Sequence, residues 1–147
     1  MANAVTAADP IYTSRRDDIG KLLLRLAVAV LMLFHGLSKV QSGIGWMAGM
    51  LQSNHLPAFI GYGVYVAEVV APILLIVGIW TRLAALVIAF DMFMAIVLVQ
   101  RTHFFSRNPQ SGAWAVELEM FYLVASLAIF FLGSGRYAIS RGRGRWD

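Results

Sequence analysis

The sequence predicts an all-α integral membrane protein whose four transmembrane helices form an antiparallel bundle. Three observations lead there. Residues 58–100 are almost unbroken apolar sequence, interrupted only by Thr81-Arg82. Each half is close to the ~20 residues a helix needs to cross a bilayer. Neither half has the polar stripe at 3.6-residue spacing that a water-facing helix would show. Finally, each half carries a single acid near its middle, Glu68 and then Asp91. Acids at that depth are costly and mark candidate functional positions.

Composition supports this class and excludes others. The chain of 147 residues is 59% hydrophobic and only 14% charged, with a mean hydropathy of +0.70. A net charge of +4 could suggest nucleic acid, but the basic residues gather near the two ends, beside apolar spans. That is a membrane-topology pattern, and no basic face with interleaved aromatics exists to read a nucleic acid. There are no cysteines. Disulfides, thiolate metal sites and iron–sulfur clusters held by this chain are therefore excluded.

In chain order, residues 1–20 read as a polar cytoplasmic tail without the apolar core and cleavage site of a signal peptide. Residues 21–138 form the membrane domain, with spans at about 22–40, 58–80, 83–100 and 115–133, and residues 139–147 form a basic cytoplasmic tail. No ten-residue alternating segments suggest a barrel, so the spans are helices. The second is expected to bend at Pro72, which removes a backbone donor. Thr81-Arg82 is too short a link for anything but an antiparallel hairpin. The loops at 41–57 and 101–114 contain turn formers, among them Asn108-Pro109. With both termini on one face, eight Lys and Arg lie on that side and three on the other, with Arg25 inside the first span. The positive-inside rule then places both termini in the cytoplasm.

The helical phase gathers the polar residues. At 100° per residue, Arg25, Ala29, Met32, Gly36 and Lys39 share one face of the first helix, flanked by His35. Glu68 shares its face with Gly61, Tyr65, Pro72 and Leu75, and Asp91 with Ala84, Ala95 and Leu98. Glu119 aligns with Tyr122, Ser126 and Gly133, whereas Glu117 points almost the opposite way. Small residues beside each charge mark surfaces where helices approach closely. By the ~1.5 Å rise per residue, Glu68 and Asp91 lie near mid-membrane, while His35 and Glu119 lie roughly 7 Å inside the outer surface. The depth-matched pairs are therefore Glu68 with Asp91 and His35 with Glu119. Arg25, near the cytoplasmic boundary, could snorkel to water.

Simpler readings stand beside these. Buried charges often pair only to fix a helix arrangement. His35 reads as a hydrogen-bonded interior residue, and His55 and His103 lack metal-ligand spacing. With one histidine inside a span, no facing pair is present to hold haem, and no metal site is expected. The aromatics Phe121, Tyr122, Phe130 and Phe131 read as packing and lipid surface. The C-terminal arginines read as an anchor to anionic lipid.

The pieces Leu23-Leu24-Arg25-Leu26, His35-Gly36-Leu37-Ser38-Lys39, Glu68, Leu74-Leu75, Gly78 and Thr81-Arg82-Leu83-Ala84-Ala85, followed by an acid-bearing fourth span closing in Gly133-Ser134-Gly135-Arg136, occur in an order that resembles the DoxX family of small bacterial membrane proteins. The resemblance covers about residues 20–138. It implies a four-helix protein of the bacterial inner membrane. It also implies a redox setting, since members are described as oxidoreductases, quinone-linked subunits or partners in oxidative-stress assemblies. The family's spacing to the terminal glycines favours Glu117 as the fourth-helix acid, while helical phase favours Glu119, beside Ser126.

On this footing the leading expectation is a membrane redox subunit that binds a quinone or similar lipid-soluble carrier. Arg25, Lys39, Arg82 and Tyr65 would contact the carrier, and Glu68, Asp91, Glu119 and His35 would handle protons. A partner oxidoreductase would supply the electrons. The alternatives are a non-catalytic membrane anchor for a soluble oxidoreductase or stress complex, and a small proton or solute transporter. Four spans are few for alternating access, so a transporter would act as a homodimer.

Overall fold

The computed structural model describes residues 15–147, and the outer part of the expected N-terminal tail lies outside the described residues. The inner part of that tail is helical. Helix α1 runs Arg15–Ser42, with Asp17 and Asp18 in its first turn and Lys39 in its last, which complements the helix dipole. It stops at Gly43, whose φ of +76° suits glycine and whose N–H donates to the Lys39 carbonyl at 2.9 Å.

The expected outer loop at 41–57 contains a second helix, α2, Gly45–Ser53. Helix α3 spans Ala58–Val77 after the extended Pro57. It opens as a 3-10 turn and widens into a π turn over Val66–Val70. That π turn lies directly ahead of Pro72, where the sequence expects a bend. Proline has no N–H to offer the Glu68 carbonyl four residues earlier.

Helix α1 covers that carbonyl, and it can do so only because residue 36 is glycine. A Cβ at Gly36 would overlap the Glu68 carbonyl and lie 2.8 Å from Val69 Cγ2. Gly36→Ala is expected to cost roughly 1–3 kcal/mol by forcing the helices apart. Gly20→Ala, with nothing within 4 Å, should be neutral or slightly stabilising. Thermal unfolding of the two variants in detergent checks this.

Helix α3 ends earlier than the hydropathy suggests. Gly78 adopts φ +76° and donates to the Leu74 carbonyl at 2.8 Å, so the hairpin turn is Gly78-Ile79-Trp80. Thr81 and Arg82, expected as the link, instead form the first turn of helix α4, Thr81–Val99. The last turn of α4, Ala95–Val99, is again π. Asn108 does organise a turn, its Oδ1 accepting the N–H groups of Gln110 and Ser111 at 2.9 and 3.3 Å. Helix α5 runs Glu117–Leu132.

The protein is therefore all-helical among the described residues, and α1, α3 and α4 are each long and apolar enough to cross a bilayer. Helix α5, at 16 residues, is about 24 Å long by the usual rise, shorter than the ~30 Å hydrocarbon core. Helix α1 packs on α3 and α5, and α4 packs on the same two. Their common core includes Ala29, Met32, Leu75, Ala85, Ile88 and Ile129. Phe34, Phe121 and Phe131 are exposed on the outside, as a lipid-facing surface requires, while Tyr122 is buried.

The segment after α5 is not a free tail. Ile139 and Ser140 donate backbone N–H groups to the carbonyls of Val77 and Gly78, and Arg82 donates its own to Trp146. Residues 134–147 thus close over the α3–α4 turn. The arginines expected to act as a lipid anchor are carried on a docked segment.

Candidate functional site

Two neighbouring cavities lie among the helices, and three of the predicted acids line them. The larger, about 500 Å³, is walled by α2, α3 and α4 and is mostly apolar, with Met47, Met50, Leu51, Val87, Met94 and Leu98 among its lining. Its polar groups are Lys39, Glu68, Asp91 and Glu119. The smaller, about 120 Å³, opens beside it between α1 and α5 and is lined by His35, Lys39, Glu68, Glu119 and Tyr122. Lys39, Glu68 and Glu119 belong to both.

Both π turns border the larger cavity, one contributing Ala67 and Glu68 and the other Ala95, Leu98 and Val99. A π turn widens the helix locally and is frequent at functional sites. Here the two stand on facing helices beside the same space.

Glu68 is buried, and its Oε1 accepts a charge-assisted hydrogen bond from Lys39 Nζ. Lys39 is therefore the direct partner of Glu68, ahead of the depth-matched Asp91, which shares the cavity with it. The four-carbon lysine stem carries the ammonium inward from the last turn of α1. Depth matching did place His35 and Glu119 on one cavity. Glu119 Oε1 accepts from Gln100 Nε2 at 3.2 Å, a partner the sequence reading did not identify. Glu68 Oε2 and Glu119 Oε2 are buried and make no hydrogen bond among the described residues. Glu117 points outward and caps the start of α5, its Oε2 accepting the Trp114 N–H at 3.2 Å. The helical phase thus identified the inward acid.

Four expected site residues are placed otherwise. His35 is exposed at the mouth of the small cavity, its ring edge-on to Tyr122 with centroids 5.9 Å apart, and is not an interior residue. The Tyr65 hydroxyl donates to the Lys39 carbonyl at 3.4 Å, and Tyr65 lines neither cavity. Arg82 sits at the opposite end of the helices, against Gly133. Arg25 does not snorkel. It is 1% exposed, and its Nη1 and Nη2 donate to the carbonyls of Ser134 at 3.0 Å and Tyr137 at 2.7 Å. Its guanidinium is committed to the closing segment, where the Ser134 carbonyl would otherwise be buried without a donor.

The sequence reading also missed the cavity roof. Trp46, Met47, Met50 and Leu51 come from α2. Their apolar spacing, three and four residues apart, was the available signal. Among the described residues no three His, Asp or Glu side chains converge on a metal-sized site.

The architecture defines a small helical membrane protein with a mostly apolar cavity that holds several charged side chains. A family model for DoxX matches residues 20–101. A relative in Bacillus subtilis (strain 168), named "Putative oxidoreductase CatD", is 30% identical over 120 residues, 80% of this chain and 81% of that protein. The chain belongs to the DoxX family. No solved structure matches it.

Proposed function

We propose that this chain is the membrane subunit of a redox system and binds a quinone or similar lipid-soluble carrier in the larger cavity. One observation carries the reading: about 500 Å³ of mostly apolar space converges on Lys39, Glu68, Asp91 and Glu119. A small-molecule site has this size and this mix of apolar wall and few polar groups. The residues suit the carrier. Methionine and leucine walls match an apolar ring and tail. The Lys39 ammonium has donors beyond the one given to Glu68, fitting a carbonyl oxygen. The unpartnered Glu68 Oε2 and Glu119 Oε2 fit a hydroxyl proton.

A quinone would supply two-electron, two-proton carriage. In this reading Glu68, Asp91 and Glu119 hold and pass the protons. Lys39 orients the carbonyl and holds the Glu68 carboxyl in place through their hydrogen bond. The electrons come from a partner oxidoreductase bearing a flavin, metal or thiol. The relative's name supports a redox setting. In the bilayer, α5 would complete a fourth crossing of an antiparallel bundle. The excess of Lys and Arg near the termini supports an inner-membrane topology with both termini cytoplasmic.

The test is organic extraction of protein purified in mild detergent, followed by mass analysis. The expected result is stoichiometric carrier in the wild type and a roughly tenfold loss in Glu68→Gln, the effect of weakening one charge-assisted contact. If no carrier is extracted and a soluble oxidoreductase copurifies instead, the anchor reading replaces this one.

A further inference from the structure

The opposite end of the molecule holds a third cavity, about 670 Å³, and nothing in the proposed carrier chemistry uses it. It lies where α1 begins, α3 turns into α4 and the segment after α5 folds back. Five basic side chains line it: Lys21 from α1, Arg82 from α4, and Arg136, Arg141 and Arg143 from the closing segment. Among the described residues, two acids, Asp18 and Asp147, stand with them.

Each acid has one oxygen engaged, while Asp18 Oδ2 makes no hydrogen bond among the described residues. Asp18 Oδ1 accepts the Arg136 N–H at 3.2 Å, with the Arg136 side chain 3.9 Å from Oδ2. Asp147 Oδ1 accepts the Trp80 N–H at 2.7 Å. Among the described residues, the five basic side chains lining the cavity outnumber its two acidic ones.

Topology alone would scatter basic residues over this face, but the structure assembles them from three distant parts of the chain. Gly133 and Gly135 make that possible. Both adopt positive φ, +74° and +72°. A Cβ on Gly133 would lie 3.0 Å from the Asp147 main-chain oxygen and 3.4 Å from Arg82 Nε and Nη2, and one on Gly135 3.2 Å from Lys21 Cδ and 3.3 Å from Asp18 Oδ1. The bare backbone lets the turn press against both cations. Arg82 Nε is buried there and has no hydrogen-bond partner among the described residues. That nitrogen is a donor left free for an anion.

We propose that this cavity binds a phosphate-bearing anion, either a lipid headgroup or a soluble phosphate compound. Arginine's planar fork of donors matches phosphate oxygens. At the end of a membrane helix hairpin, an anionic phospholipid headgroup would reach it from the bilayer surface.

The test uses the full chain in mild nonionic detergent, with phosphatidylglycerol, phosphatidylcholine of the same chain length, and inorganic phosphate as probes. Native mass spectrometry reads bound lipid and thermal unfolding reads stabilisation. Phosphatidylglycerol should bind one molecule per chain roughly tenfold more tightly than phosphatidylcholine, and Arg141→Gln/Arg143→Gln should abolish that preference. Both residues are exposed, so the fold should persist, which circular dichroism checks. Arg101→Gln/Arg107→Gln, outside this cavity, should leave the preference intact.

If inorganic phosphate stabilises the wild type and not the Arg141/Arg143 variant, without a lipid preference, the site is real and its ligand soluble. If neither probe depends on Arg141 and Arg143, or if the Arg101/Arg107 variant loses binding equally, the proposal is overturned.

Discussion

Arg25→Ala is expected to destabilise the protein by about 4 kcal/mol and to free residues 134–147 for proteolysis. The substitution leaves the buried Ser134 carbonyl and the partly buried Tyr137 carbonyl without their donors. Each such orphan costs about 1–3 kcal/mol, and the void left by a fully buried side chain adds to that. The α3–α4 turn should loosen with it, since Arg25 Nη1 lies 2.6 Å from where a Cβ on Gly78 would stand. Arg25→Lys keeps the charge but not the two-pronged reach, and should fall between the two. Denaturant unfolding in detergent and limited proteolysis measure both effects. A variant with wild-type stability and an intact C-terminal segment would show that the contacts carry no weight.

The second large effect lies at the other end of α1. Lys39→Met removes the partner of a carboxylate whose side chain is 3% exposed. Breaking a buried pair from one side typically costs 3–5 kcal/mol, because the remaining charge has no counterpart. The lysine side chain is 28% exposed, so about 3 kcal/mol is expected. Adding Glu68→Gln removes the stranded charge. The double variant should therefore be more stable than the sum of the two single changes predicts. An additive double-variant cycle would mean that the two side chains do not interact in the membrane.

Much of this fold could be read from hydropathy and phase. Lipid leaves a helix no solvent partner, so the long apolar runs had to be helical. The 100° rule placed Ala29, Met32, Leu75 and Ser126 inward, and all are buried. It separated Glu119 from Glu117 for the same reason.

What escaped the sequence reading depended on local departures from a uniform helix. Depth counting assumed a constant rise, but α3 begins with a 3-10 turn and carries a π turn at Glu68. The flexible lysine stem added further reach, so Lys39 and not Asp91 became the partner of Glu68. The loop formers around α2 hid a nine-residue helix that roofs the cavity. The glycines at 133 and 135 looked like tail punctuation, yet they allow the segment to dock. Arg25 looked like a ligand contact because a buried charge signals function. Its partners are backbone carbonyls more than a hundred residues away, which no local pattern announces.

The central claim is that the larger cavity holds the carrier. Photolabelling with an azido-quinone, followed by peptide mapping, tests it most directly. The account predicts label on cavity residues such as Met47, Met50, Met94 and Leu98, suppressed by excess unlabelled quinone and by Glu68→Gln. Label spread over the outward aromatics Phe121 and Phe131, unaffected by competitor, would contradict it.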